Sequence, residues 1–210
     1  MRTGVCLAAM AAGLVMAGSA LALATGNVLF SDNFSKPSKS WHTGPTAYGK
    51  ESFHAGKLRL AINPDGFVYD IPGKSWKGVA SETVTADAAF VSGSKDNTTG
   101  VICALDSFRR YDAVIGSDGS YLVRRSAGSD GSSVLAHGTN RKAIHAAGNH
   151  IRVVCTSSGA IKLTVNGTRV LSTVDKHPLG KFTEAGIWAA TGVKKPAVTI
   201  DFDNFKVVGK

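Results

Sequence analysis

Trp188 sits between Ile187 and Ala189 in the run Gly186 to Thr191. Side chains alternate along a strand, so placing the two aliphatic residues in a core turns the indole outward. The opposite parity, with Trp188 packed between sheets and Ile187 and Ala189 outside, is equally compatible with the run. A second aromatic–basic combination lies in the stretches Arg109 to Gly116 and Ser120 to Ser126, where the pattern puts Tyr111 on one face with Arg124 and Tyr121 on the other with Asp112 and Arg125. A flat exposed ring beside hydrogen-bonding side chains is the arrangement that stacks on the apolar face of a sugar and fixes its hydroxyls. Trp188, Tyr111 and Arg124 are therefore candidate residues of a shallow glycan site. If Trp188 is an open platform, Trp188→Ala should abolish glycan retention and leave the thermal midpoint nearly unchanged.

Other chemistries find little support. His42, His54, His137, His145, His150 and His177 show no zinc-ligand spacing, and neither a G-x-S-x-G nucleophile elbow nor a phosphate-cradling glycine loop is present. Cys103 and Cys155 each lie inside a strand-like run, on the same face as apolar neighbours, with no base nearby in sequence. In an oxidising compartment a core-facing disulfide is the favoured reading, and two inert buried thiols the alternative.

The elements that must carry these residues are short strands separated by turn chemistry. Val198 to Val208 (VTIDFDNFKVV) alternates Val198, Ile200 and Phe202 with polar residues, then slips parity so that Phe205 and Val207 continue the apolar face. A bulge at Asp203 or Asn204 accounts for the slip. The similar FSDNF at Phe30 to Phe34 suggests a sheet closed by the two ends of the chain. Such pairing would bring together Asp32 and Asp203, two hard oxygen ligands suited to a structural calcium ion, with backbone carbonyls completing the shell; the bland alternative is two surface aspartates.

Between these ends, Tyr48 to Phe53 and Lys57 to Asn63 flank Ala55-Gly56 as a hairpin. Phe67 to Ile71 and Val79 to Val91 follow as further strands. Asp118-Gly119 suits a two-residue type I′ turn that sets Asp112 opposite Arg125, and Asn166-Gly167 suits another, pairing Val165 with Thr168 and Leu163 with Val170. One helical turn is expected around Asp175 to Lys181. The turn density fits an all-β, two-sheet antiparallel sandwich in a single domain spanning residues 25–210.

Residues 1–24 differ in kind: Arg2, an apolar run from Val5 to Val15, and small residues ending in Ala22-Leu23-Ala24 make the n-region, h-region and A-x-A site of a signal peptide. A secreted or periplasmic protein with no membrane span in its mature form is expected, an uncleaved anchor being the alternative. Hydrophobic residues make up 43% and charged ones 19% of the 210 residues, an ordinary globular composition in which nothing suggests disorder. The formal charge of +9 falls to +8 without Arg2 and favours encounters with anionic partners, including an anionic glycan. The charges are scattered rather than clustered, which argues for solubility, and no motif indicates specific nucleic-acid binding.

The opening LFSDNFSKPSKSW, the strands GVICAL and HIRVVC, the hairpin LTVNGTRV and the closing IDFDNFKVV together resemble the concanavalin-A-like lectin/glucanase superfamily, in particular laminin-G-like and glycoside-hydrolase-16-related domains of secreted bacterial proteins. The resemblance implies a jelly-roll sandwich, a glycan-binding concave face, and in some relatives a calcium ion near the paired termini. Hydrolases of this superfamily carry E-x-D-x-x-E or E-x-D-x-E on one strand, because retaining hydrolysis needs a nucleophile and an acid/base flanking the bond. Here Glu51, Glu82 and Glu184 are widely separated, and Asp201-Phe202-Asp203 has no acidic partner following it. A non-catalytic binding module is the expectation. A glycan-active hydrolase or lyase with another carboxylate arrangement, and an envelope protein-interaction module, are the alternatives.

Overall fold

The computed structural model describes residues 26–192 and 196–210; the expected signal peptide and the Lys194-Lys195 pair lie outside the described residues. The first strands are β1 (Asn27–Asp32), β2 (Gly44–Thr46), β3 (Gly49–His54), β4 (Lys57–Ile62) and β5 (Phe67–Asp70). They are followed by β6 (Ser81–Ser92), β7 (Asn97–Ala104), β8 (Arg109–Gly116), β9 (Ser120–Ala127) and β10 (Ser132–Thr139). The chain ends with β11 (Gly148–Thr156), β12 (Ala160–Val165), β13 (Thr168–Val174), β14 (Glu184–Thr191) and β15 (Val198–Gly209). Every named strand pair is antiparallel.

Two sheets result. One runs β13-β12-β11-β6-β15-β4-β3-β2 with β1 also on β15, and the other runs β10-β9-β8-β7-β14-β5. The long strand β15 organises the first sheet: β4 pairs with its first half, β1 with its second, and β6 with both. The change of partner occurs where the register shifts between Asp203 and Lys206, with Asn204 at φ 50°. The bulge therefore sits where the parity slip required it. It keeps Val198, Ile200 and Phe202 before it, and Phe205 and Val207 after it, in one core.

That core fills the space between the sheets. Leu58, Leu60 and Ile62 of β4, Val84, Ala86 and Ala88 of β6, and Ile151 and Val153 of β11 meet Val101 of β7, Ala113 and Ile115 of β8, and Ile187 and Ala189 of β14. Cys103 of β7 and Cys155 of β11 form a disulfide, so a covalent link joins the sheets through fully buried sulfurs. Closing a loop across a sequence separation of 52 removes unfolded-chain entropy worth about 4 kcal/mol.

Three local expectations change. The loop after β8 holds three residues, because Ile115 faces Tyr121, Gly119 N–H closes the turn onto Gly116 O, and only Gly119 of the turn has positive φ (87°). A type I′ turn needs positive φ at two residues, so the hairpin register moves by one: Tyr111 faces Arg125 and Asp112 faces Arg124. The Asn166-Gly167 turn does pair Val165 with Thr168, but a bulge then sets Leu163 opposite Leu171 rather than Val170. No helical turn forms over residues 175–181. Asp175 instead accepts a hydrogen bond from His177 N at 2.9 Å, a local Asx closure that competes with helix.

Candidate functional site

The outward side of the six-stranded sheet carries a second, smaller apolar cluster of Ile102, Ala104, Val114 and Trp188, with Tyr69, Ile71, Leu122 and Ala190 packed against it. Register explains its composition. Trp188 of β14 lies between Tyr69 of β5 and Gly100 of β7, and the row continues through Val114 and Leu122 to His137 of β10. Gly100 is required there: a Cβ would fall 2.2 Å from the Ala113 carbonyl oxygen, so β7 and β8 approach too closely for a side chain. The indole thus has no cross-strand side chain on that flank.

On its other flank the indole joins a column of rings. Trp188 stacks on Phe67 with centroids 5.3 Å apart, and Phe67 stacks on Tyr48, from the turn before β3, at 4.9 Å. Tyr69 lies parallel to both Phe67 and Trp188, with centroids 6.4 and 6.3 Å away. Two guanidinium groups lie over rings: Arg124 Cζ is 4.8 Å from the Trp188 centroid and Arg110 Cζ is 4.3 Å from that of Tyr69. Each such contact contributes about 0.5–2 kcal/mol, more where water is excluded.

Asp112 holds the two arginines in place. Its Oδ1 accepts from Arg110 Nε at 2.8 Å and its Oδ2 from Arg124 Nη2 at 2.7 Å and Nε at 3.0 Å. Arg110 also donates to the Ser107 carbonyl oxygen. A buried carboxylate shared by two guanidiniums is satisfied, and it leaves no free oxygen for acid–base work. Beyond Gly100 the same face opens into a trough of about 370 Å³ lined by Thr98, Val114, Gly116, Leu122, His137 and Thr139.

The expected binding residues are thus divided. Trp188 does face away from the main core, with Ile187 and Ala189 inside, yet it is only 8% exposed, because Phe67 and Arg124 cover its ring. Arg124 is beside it. Tyr111 is not: it is fully buried between the sheets, donates its hydroxyl proton to Asp175 Oδ2 at 2.8 Å and accepts from Leu179 N at 3.2 Å. The three-residue loop after β8 caused that misplacement. Burial and the Asp175 carboxylate both push the Tyr111 hydroxyl up from its ordinary range. On this face the open aromatic surface belongs to Tyr48, 48% exposed, and Phe67, 37% exposed; Phe108, 70% exposed, lies apart in the loop between β7 and β8.

Asp32 and Asp203 do not make a calcium site. Asp32 accepts from Phe34 N at 2.8 Å and Trp41 Nε1 at 3.1 Å, while Asp203 accepts from Lys57 Nζ at 2.7 Å and Asn204 N at 2.8 Å. Oxygens occupied by N–H donors, one of them an ammonium, do not fit a dication. Among the described residues no group of three or more His, Cys, Asp or Glu side chains could hold a metal ion.

No protein-family model matches the sequence, and neither does any curated protein. Solved structures do match the fold. A carbohydrate-binding module, CBM66 from Bacillus subtilis, superposes with TM-score 0.61 at 13% identity, over 81% of this chain and 96% of that one. A Bacillus subtilis protein of unknown function with a galectin-like fold gives 0.67 at 13% identity, over 88% and 96%. The GH43 protein BlXynB from Bacillus licheniformis gives 0.62 at 12% identity, over 86% of this chain and 39% of that one. The chain has the two-sheet antiparallel sandwich fold that these structures share. None of its described helices is long and apolar enough to cross a membrane.

Proposed function

We propose that the protein is a secreted, non-catalytic glycan-binding module whose ligand rests on the outward face of the six-stranded sheet, against Tyr48 and Phe67. The observation that carries this reading is the open end of the column: Arg124, Trp188, Phe67 and Tyr48 follow one another, and the last ring is half exposed. A sugar's apolar face is a suitable next layer. Trp188 and Arg124 act from behind, fixing Phe67 rather than meeting the ligand. The likeness of fold to a carbohydrate-binding module supports the ligand class. The signal-like N-terminal sequence and the disulfide support export.

A preference for anionic glycans would not come from this face, where Arg110 and Arg124 are offset by Asp112 and Glu184. It would come from the overall charge, +8 once the segment carrying Arg2 is removed, and would fade with added salt. Retention on a panel of neutral and anionic polysaccharides tests the reading. Tyr48→Ala and Phe67→Ala should each weaken retention about tenfold or more, equivalent to about 1.4 kcal/mol. Wild-type retention by both folded variants would refute the site.

A further inference from the structure

Glu51 of β3 and Asp70 of β5 are both buried, lie opposite the core residues Leu60 and Ile187, and converge on His42, whose N–H donates to Asp70 Oδ2 at 3.0 Å and whose Nδ1 is 3.6 Å from Glu51 Oε1. Both belong to the segments that carry the column: Tyr48 immediately precedes β3, and Phe67 and Tyr69 lie on β5. The latter is a four-residue edge strand paired only with β14, so few backbone bonds hold it. Asp70 Oδ2 accepts the His42 N–H at 3.0 Å, whereas Glu51 Oε2 has no N–H or O–H donor. Two adjoining buried carboxyl groups are stable when one keeps a proton and donates it to the other.

We propose that this Glu51–Asp70 pair is a proton-held clamp fastening β5 to β3, so that the aromatic site is assembled in acid and loosens toward alkaline pH. The inference rests on the glycan reading only for its consequence, since the clamp itself is a property of the fold. Burial, then the Asp70 charge, push Glu51 up to about 9, and burial raises Asp70 as well. The remaining titratable group facing the pair is His42, whose Nδ1 is 3.6 Å from Glu51 Oε1; the cross-strand neighbours Gly44, Leu60 and Ile187 carry no charge.

The direction follows from linkage. With β5 docked, Glu51 keeps its proton up to about pH 9; with β5 lifted it returns to its ordinary value of 4.5. The docked-to-lifted ratio therefore falls by about tenfold per pH unit between those values and levels off above them.

Hydrogen exchange of the β5 amides in the full chain, compared with E51Q at each pH from 5 to 8, reads this ratio directly. The glutamine amide donates to Asp70 but has no proton to lose. Wild-type protection relative to E51Q should fall steeply with pH, and glycan retention should fall with it. A ratio constant from pH 5 to pH 8 would overturn the clamp. Loss of the pH slope in His42→Ala would make the imidazole the titrating group and would equally overturn it. A pH-dependent β5 with no glycan retained at any pH would uphold the clamp and refute the glycan reading.

Discussion

On the six-stranded sheet the outward rows carry Phe67, Tyr69, Trp188, Val114 and Leu122, with guanidiniums laid on two of the rings. On the nine-stranded sheet the outward rows carry Arg59–Asp201, Lys57–Asp203 and His150–Asp87 pairs over a floor of Ala89 and Gly148, lining a hollow of about 250 Å³. Both faces contain aspartates bonded to cations, but the surroundings differ. Asp112 is 1% exposed beneath two arginines, whereas Asp203 and Asp87 are in contact with water. Water and salt weaken the second kind of pair, which contributes solubility more than stability. The first kind is part of a packed layer, and that face presents the stacked rings of Tyr48 and Phe67 to a ligand.

The contrast predicts graded losses. Asp112→Ala leaves two guanidiniums without their carboxylate and should cost about 3–5 kcal/mol in urea unfolding. Trp188→Ala removes a ring packed against Phe67, Tyr69 and Arg124 and should cost a similar amount, about 3–5 kcal/mol. This corrects the expectation of an unchanged midpoint, which assumed an open platform.

The acids that lie between the faces give the next effect. Burial raises Glu51, Asp70 and Glu82; the Glu82 oxygens approach Trp76 and the Ala104 amide without making an aligned hydrogen bond. Each of these acids has its folded-state pKa raised, so its contribution is complete below its unfolded pKa and is lost as pH rises toward the folded value. Thermal midpoints should therefore be higher near pH 5 than near pH 8.5, with a slope of up to about 1.4 kcal/mol per pH unit for each group. Glu82→Gln should flatten part of that slope.

The smallest effects belong to the nine-stranded face. Asp201→Asn, which weakens a partly shielded bidentate pair to Arg59, should cost about 1.5–3 kcal/mol. Asp203→Asn should cost less than about 1 kcal/mol, and that small difference should vanish in high salt.

Much of the fold was legible in the residues. The parity slip in VTIDFDNFKVV located the bulge, and the apolar phase of Cys103 and Cys155 located the disulfide, because both signals are local and periodic. The binding face was legible only in part. Trp188 was turned outward correctly by Ile187 and Ala189, but nothing in one strand reports what lies over its ring. Tyr48 and Phe67 were passed over because they come from a turn and a four-residue edge strand of different sheets, which meet only in the fold, where one ring stacks on the other. Tyr111 was misplaced by a single loop residue, since strand parity transmits a one-residue error along the whole hairpin. The Glu51–Asp70 contact, between strands of different sheets, had no sequence signal at all.

The central claim is that the two outward faces differ in function as they do in composition. Its most direct test is glycan retention measured side by side for Tyr48→Ala and Phe67→Ala on one face and Lys57→Ala and His150→Ala on the other, each checked for folding by its thermal midpoint. The first pair should lose retention by about tenfold or more, and the second pair should match the unmodified protein. Full retention in the first pair with loss in the second would place the ligand on the nine-stranded sheet and contradict the account.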